Sequence, residues 1–420
     1  MNAKFPQVTP IVRPDASVQA TASTPQPHLR LLDLYTTSVL VVILCLVYLD
    51  IPGYIQERNE SFLPKYFFYA FFVVVAPLLI LRFRSLSSYV ISPFSLWAFA
   101  LIMLEIAHLL FALIDGDQSR ASLIDTGIQY AALAVLLGFA CSITRTTYYE
   151  RIFPFLAVLI PTMVIVDFLN PGVFDPLGRP EGGGAGRAAA TFINANKAGE
   201  AMLLTFLLAI PVLRLRYRAL LLLLVGAGVI LTFSRGAILG WMLLCLFLSL
   251  RKAVPKYILA VPLVALGVLP LLLGSFESYL GGREDLSGGR DNILARLEFF
   301  QDQVLDDDSA LERAQVLEAG LDLFLQNPVF GAGAGATHLW SQRASTHNQP
   351  VMLAAEYGVF GITLWVSLAM ILWKGKYFQD KTLQLTAAAG FVFLSMFTHN
   401  MLGLPYWLVT FALVSGQRRA

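Results

Sequence analysis

Long apolar runs recur along almost the whole of this 420-residue chain, separated by short polar loops. A helix crosses a bilayer in about 20 residues, and only helices and closed barrels satisfy their backbones there. Barrel strands would alternate apolar and polar positions over about ten residues, which these unbroken runs do not. Composition agrees: 57% of residues are hydrophobic and 14% charged, with a mean hydropathy of +0.66. Soluble domains carry roughly 25% charged residues, so an ordinary globular domain is excluded. The expected fold is an all-α polytopic membrane protein with about 12 transmembrane helices and a large extracytoplasmic loop containing amphipathic helices.

Those spans fall near 34–52, 66–82, 91–114, 123–143, 152–169, 196–213, 219–233, 237–250, 257–275, 350–373, 382–399 and 402–417. The runs 219–233 and 237–250 are short, and one of them is open to a re-entrant reading. Lys and Arg gather in alternate loops: Arg82 and Arg84, Arg145 and Arg151, Arg214, Arg216 and Arg218, Arg251, Lys252 and Lys256, Lys374, Lys376 and Lys381, then Arg418 and Arg419. The positive-inside bias makes that face cytoplasmic and puts both termini on it. Residues 1–33 read as a disordered cytoplasmic tail, rich in Pro, Ser and Thr and without the apolar core of a signal peptide. Transmembrane helices fill 34–275, a helical extracytoplasmic excursion 276–349, and the last three helices with a short tail 350–420.

The excursion contains two helical patterns, "DNILARLEFFQDQVL" and "ALERAQVLEAGLDLFLQ". In the second, Leu311, Ala314, Leu317, Leu321, Phe324 and Leu325 form an apolar stripe suited to the bundle or the membrane interface. Asn327-Pro328 ends it, and "GAGAGA" at 331–336 follows as a turn, since no strand precedes it to make a nucleotide loop. Cys45, Cys141 and Cys245 all sit in apolar runs, as packing residues without metal or disulfide spacing. The acidic run Asp306, Asp307 and Asp308 reads as a solvated loop, not a metal site.

Chemistry on the extracytoplasmic side must use a substrate already activated in the membrane. Basic residues there run against the charge bias. Arg235, in "LTFSRGAIL" between two short spans, is either a snorkelling anchor or a guanidinium that grips phosphate through its planar fork. Arg187 and Lys197 flank "AAATFINAN" at the mouth of a span. His347 has the ordinary pKa of a general base near neutrality, and equally suits the cap of the span at 350. Glu356, Glu105 with His108, Asp167 and Glu200 are carboxylates and a histidine within apolar runs, each either a bundle-stabilising group or a pathway residue.

Thr346-His347-Asn348 is repeated as Thr398-His399-Asn400. Only the first pair is followed, after the nine residues "QPVMLAAEY", by Gly358-x-x-Gly361; after the second the corresponding position is Thr410. With Ser234, Arg235 and Leu239 in Ser-Arg-x-x-x-Leu, and Arg313 leading into "NPVFGAGAG", this ordered set resembles the bacterial O-antigen ligases, within a superfamily that includes O-antigen polymerases. "ATFINANK" keeps only part of a further family pattern, with Ala195 where Pro is usual. The resemblance covers about 180–400 and implies a glycosyltransferase of C type. It would move O-antigen from undecaprenyl pyrophosphate to a sugar hydroxyl of lipid A–core, at the periplasmic face of the inner membrane. It implies His347 as general base, Arg235 and Arg187 as catalytic cations on the pyrophosphate, and Asn348, His338, Lys197, Arg290 and Arg313 as substrate-binding residues. No metal, cofactor or nucleic acid is expected, and the partners are the lipid-linked O-antigen, lipid A–core and membrane lipids. A polymerase or a protein O-oligosaccharyltransferase with the same donor is the near alternative; a polysaccharide-lipid transporter is the alternative of another class.

Overall fold

The computed structural model describes residues 27–264, except 60, 145, 171–172, 175–186 and 193, and residues 308–416, except 343–345 and 399. The chain order is α1 (Pro27–Tyr48), α2 (Ile51–Arg58), α3 (Pro64–Leu81), α4 (Phe83–Val90), α5 (Pro93–Ile114), α6 (Gln118–Ile143), α7 (Thr146–Tyr149) and α8 (Ile152–Leu169). Then come α9 (Ala195–Ala209), α10 (Leu215–Leu231), α11 (Arg235–Leu250), α12 (Asp308–Gln326), α13 (Gln349–Lys374), α14 (Lys381–Ser395) and α15 (Pro405–Ser415). Among the described residues there is no strand. Of the sequence-predicted span near 257–275, only the part to 264 is described, and Arg290 with the pattern at 291–305 lies outside the described residues.

Polar residues open the helices where the apolar runs begin. The side chains of Ser92, Asp117, Ser234, Asn348 and Asp380 each accept an amide hydrogen from the first turn that follows. The outer surface of the bundle is apolar, with Ile80, Ile114, Phe99 and Phe111 all strongly exposed. Inside, side-chain donors meet backbone carbonyls or hydroxyls: Trp97 Nε1 to Leu364 O at 3.0 Å, Tyr377 OH to Leu208 O at 2.9 Å, and Tyr48 OH against Thr410 Oγ1 at 2.7 Å. An apolar exterior over an interior whose polar groups are mostly hydrogen-bonded is what a lipid solvent selects. The chain is an integral membrane protein.

Helix lies in each predicted span that the structure describes, but not always at the expected length. Six helices are long and apolar enough to cross a membrane among the described residues, and a bent pair makes a seventh. That pair is α3 and α4, which turn by 103° beside Arg82. The run 34–52 stops at Tyr48, because buried Asp50 adopts a left-handed φ of 49° and Pro52 restarts the chain as α2. The run 382–399 ends as helix at Ser395, and 402–417 narrows to the 11-residue α15, buried along its length instead of facing lipid.

On α12 the buried positions are Val316 and Gly320, while Leu321 and Leu325 of the expected stripe stay exposed. The reason is a close approach. A Cβ on Gly320 would lie 2.8 Å from Thr346 Cγ2 and 2.9 Å from Val351 Cγ1, so the missing side chain lets α12 lie on the start of α13.

Following the helices alternately up and down, the ends of α10, α14 and α12 and the starts of α9, α11, α13 and α15 share one end of the bundle. Arg82, Arg214, Arg251, Lys374 and Lys381 mark the other.

Candidate active site

The apolar run after His347 reads as one uninterrupted helix, yet α13 is broken. Gly358 has φ 62° and ψ −142°, which divides a short stub (349–357) from the long remainder. A break deep in a bundle leaves backbone groups needing partners. The loop after α12 supplies them: Ala332 and Gly333 donate their amides to Ala355 O and Glu356 O at 2.8 and 2.9 Å, and Val359 N donates to Pro328 O at 2.9 Å. A Cβ on Gly358 would come within 2.3 Å of Val329 O, so only glycine fits both the left-handed backbone and the crossing loop. Arg120 pins the same loop through bonds to Ala334 O (2.7 Å) and Ala332 O (2.8 Å). The glycines of "GVFG" and "GAGAG" therefore serve a chain crossing that fixes the α13 stub.

His347 immediately precedes that stub. Asn348 is its cap, with Oδ1 accepting from Val351 N at 3.1 Å. Both line a cavity of about 340 Å³, bounded by the starts of α9 and α11, by α12 and by the chain after α14. Arg235, Arg313, His347 and Asn348 are brought together on its wall, with Glu200 as the one carboxylate among the residues lining it. Burial, and then the Arg313 guanidinium, push the His347 imidazole down to about 4. At neutral pH it is uncharged and able to accept a proton, beside cations suited to an anionic ligand.

Glu200 is buried and fully engaged. Oε1 accepts from Thr398 Oγ1 at 2.5 Å; Oε2 accepts from Trp407 Nε1 at 2.8 Å and Tyr406 OH at 3.4 Å. This gives the second Thr-His-Asn copy a structural use: Thr398 holds the carboxylate, and Asn400, at φ 53°, caps the turn leading to α15 through Gly403 N. His399 lies outside the described residues.

Arg187 is not on the cavity wall. It is 5% exposed, donating from Nε to Thr232 O (2.9 Å) and from an Nη to Asn196 Oδ1 (2.7 Å). Asn196 lines the cavity, and since arginine only donates, it is the amide oxygen of Asn196 that Arg187 holds. The loop carrying Arg187 is clamped by Asp167, whose Oδ2 accepts from both Ala189 N (2.9 Å) and Ala190 N (2.8 Å). Lys197 is half-buried away from the wall, near Asp50, whose carboxyl is pushed up to about 6 by burial against the lysine's opposing pull. His338 lines a different cavity, with Nδ1 3.8 Å from Glu356 Oε1. Glu105 and His108 do not pair with each other: Tyr357 OH donates to Glu105, and Ala334 N to His108 Nδ1. Arg120 escaped the sequence reading, although an arginine in the first turn of a span on the disfavoured face was a signal for it.

A many-helix membrane protein with a cationic, histidine-bearing cavity at one end of its bundle defines the class. Residues 219–366 match the family described as O-antigen ligase, and the motifs from Ser234 to Gly361 that carry the resemblance lie within the matched stretch. The matched stretch runs from α10 into α13 and contains Arg235, Arg313, His347, Asn348, Gly358 and Gly361; Arg187 and Lys197 fall before it. It supports a glycosyltransferase-like enzyme of the ligase or polymerase type. No curated protein matches the chain.

Proposed function

We propose that the protein transfers an O-antigen glycan from undecaprenyl pyrophosphate to a sugar hydroxyl of lipid A–core, at the periplasmic face of a bacterial inner membrane. The observation that carries this reading is the meeting of His347, Arg235 and Arg313 on one cavity wall within the matched domain. In the proposed reaction the acceptor oxygen attacks the anomeric carbon from the face opposite the pyrophosphate, and the configuration inverts. The C1–O bond breaks, and undecaprenyl pyrophosphate leaves with the electron pair. His347 takes the acceptor's hydroxyl proton. Arg235 and Arg313 absorb the charge that develops on the leaving group, so it departs without protonation and without a metal. Arg187 acts from behind Asn196, holding that amide toward the reacting groups. Asn348 fixes the stub that carries the base.

Anion binding also readies the base. A diphosphate arriving beside Arg313 offsets the repulsion that holds the imidazole low, so His347 becomes more basic as the donor seats. The test is reconstitution of purified protein with lipid-linked O-antigen and lipid A–core in chelator, with the product ladder read on a gel. Wild type should give the ladder, and His347→Ala and Arg235→Ala should not. Elongation of lipid-linked chains without transfer to the core would replace the ligase with a polymerase. An active His347→Ala protein would remove the base from the mechanism.

A further inference from the structure

A second cavity opens at the same end of the bundle, at about 390 Å³ the larger of the two. The two lie along one stretch of chain: Thr346, His347 and Asn348, just before the α13 stub, line the first, while Met352, Glu356 and Tyr357 of the stub line the second. Glu105 of α5, 8% exposed, lines the second cavity beside Tyr357. Its Oε1 accepts from Tyr357 OH at 2.6 Å, but its Oε2 is buried without a hydrogen-bond partner. A buried carboxylate oxygen left so is costly and rare. Glu356, by contrast, is served by both the amide and hydroxyl of Thr337, at 3.1 and 2.6 Å. The cavity lining therefore holds one carboxylate oxygen that nothing in the described chain satisfies.

The surroundings select what donates to it. Asp125 and Glu356 outweigh Lys65 among the charged side chains around the cavity, which disfavours phosphate. Among the described residues no three His, Cys, Asp or Glu side chains are grouped to hold a metal ion. Gln129 and Asn400 offer both donors and acceptors, and Tyr130 adds an aromatic surface. Such a lining suits a neutral pyranose, with hydroxyls around its rim and C–H groups on its faces. We propose that this cavity is a glycan subsite, in which a ring hydroxyl of a neutral sugar donates to Glu105 Oε2. The site's chemistry is independent of the reaction; only the sugar's source rests on the glycosyl-transfer reading. That source is either the acceptor's core or the distal part of the donor glycan, arriving along the stub from His347.

The experiment is saturation-transfer NMR on the full-length protein in nanodiscs, titrated separately with delipidated core oligosaccharide and with O-antigen glycan released from its carrier. The expected result is binding of one of them to wild type, and which one identifies the source. Glu105→Gln should weaken it roughly ten- to hundredfold, because Tyr357 keeps the amide oxygen and turns the NH2 toward the sugar, replacing an acceptor with a donor. Leu123→Trp, at an exposed position on the cavity's edge, should block the site without disturbing a buried polar group. Binding that survives both variants overturns the proposal, as does the absence of binding by either glycan. Sodium or magnesium competing the sugar away from wild type, with direct binding of that cation lost in Glu105→Gln, would overturn it in favour of a cation site. Sugar binding by a protein that fails to ligate would refute the ligase reading and uphold the subsite; ligation without sugar binding would do the reverse.

Discussion

Replacing Arg313 with glutamine tests the electrostatics of the candidate base directly. His347 has an ordinary value of 6.5, and its surroundings push it down to about 4, burial being the larger cause and the Arg313 charge the second. At pH 7 an imidazole titrating near 4 is protonated in about one molecule in a thousand, against about a quarter at 6.5. A histidine held low resists protonation. Its contribution to stability is therefore complete above 6.5 and lost as pH falls through about 4. Arg313→Gln removes the repulsion and leaves the burial, so the titration should rise part of the way toward 6.5. Diethyl pyrocarbonate acylates only the neutral imidazole, and peptide mass spectrometry separates His347 from the other histidines. The expected half-maximal reactivity falls near pH 4 in wild type and higher in Arg313→Gln. Inorganic pyrophosphate should raise the wild-type midpoint and move the variant's less. A wild-type midpoint near 6.5, or one that Arg313→Gln leaves in place, would refute the account of a base tuned by burial and a neighbouring cation.

Gly358→Ala forces a Cβ against Val329 O in a left-handed backbone and should cost about 3 kcal/mol or more, read as a lower thermal midpoint and poor yield of folded protein. Glu200→Ala orphans the donors on Trp407, Tyr406 and Thr398 and should cost about 3 kcal/mol in thermal unfolding. Glu200→Gln should fold nearly as well, its oxygen accepting from Trp407 while its NH2 donates to the Thr398 hydroxyl. Asn348→Ala loses the α13 cap, about 1 kcal/mol of stability, whereas Asn348→Ser keeps a capping oxygen and should recover most of it.

The elements were legible because their signals are local. Apolar runs located the helices, and the structure adds the caps that start them, such as Ser92 and Asp380. His347 and Arg235 stood out because a titratable ring or a charge at the disfavoured end of a span is unusual, Arg313 stood out through the motif leading into "NPVFGAGAG", and the three do share a cavity. What stayed hidden depended on contacts distant in sequence. The left-handed Gly358 sits in a run as apolar as any helix, and only the loop at 328–333 makes sense of it. Arg187 read as a catalytic cation and Asp167 as either a bundle-stabilising group or a pathway residue, yet one is buried behind Asn196 and the other binds backbone amides. Nothing local separates Glu200, with all its neighbours donating, from Glu105, with one oxygen unserved. On α12 the packing face is set by Gly320, which no hydrophobic stripe reveals.

The break at Gly358 also bears on how the protein meets bilayers of different thickness. Transmembrane helices answer a thicker or thinner membrane by tilting, and a group fixed rigidly to a helix end swings with it. The α13 stub is tied through Ala355 O and Glu356 O to the loop, and the loop through Arg120 to α6, rather than to the lower course of its own helix alone. The position of His347 thus depends on two helices and the loop between them, and a change in the tilt of α13 alone is shared out before it reaches the imidazole.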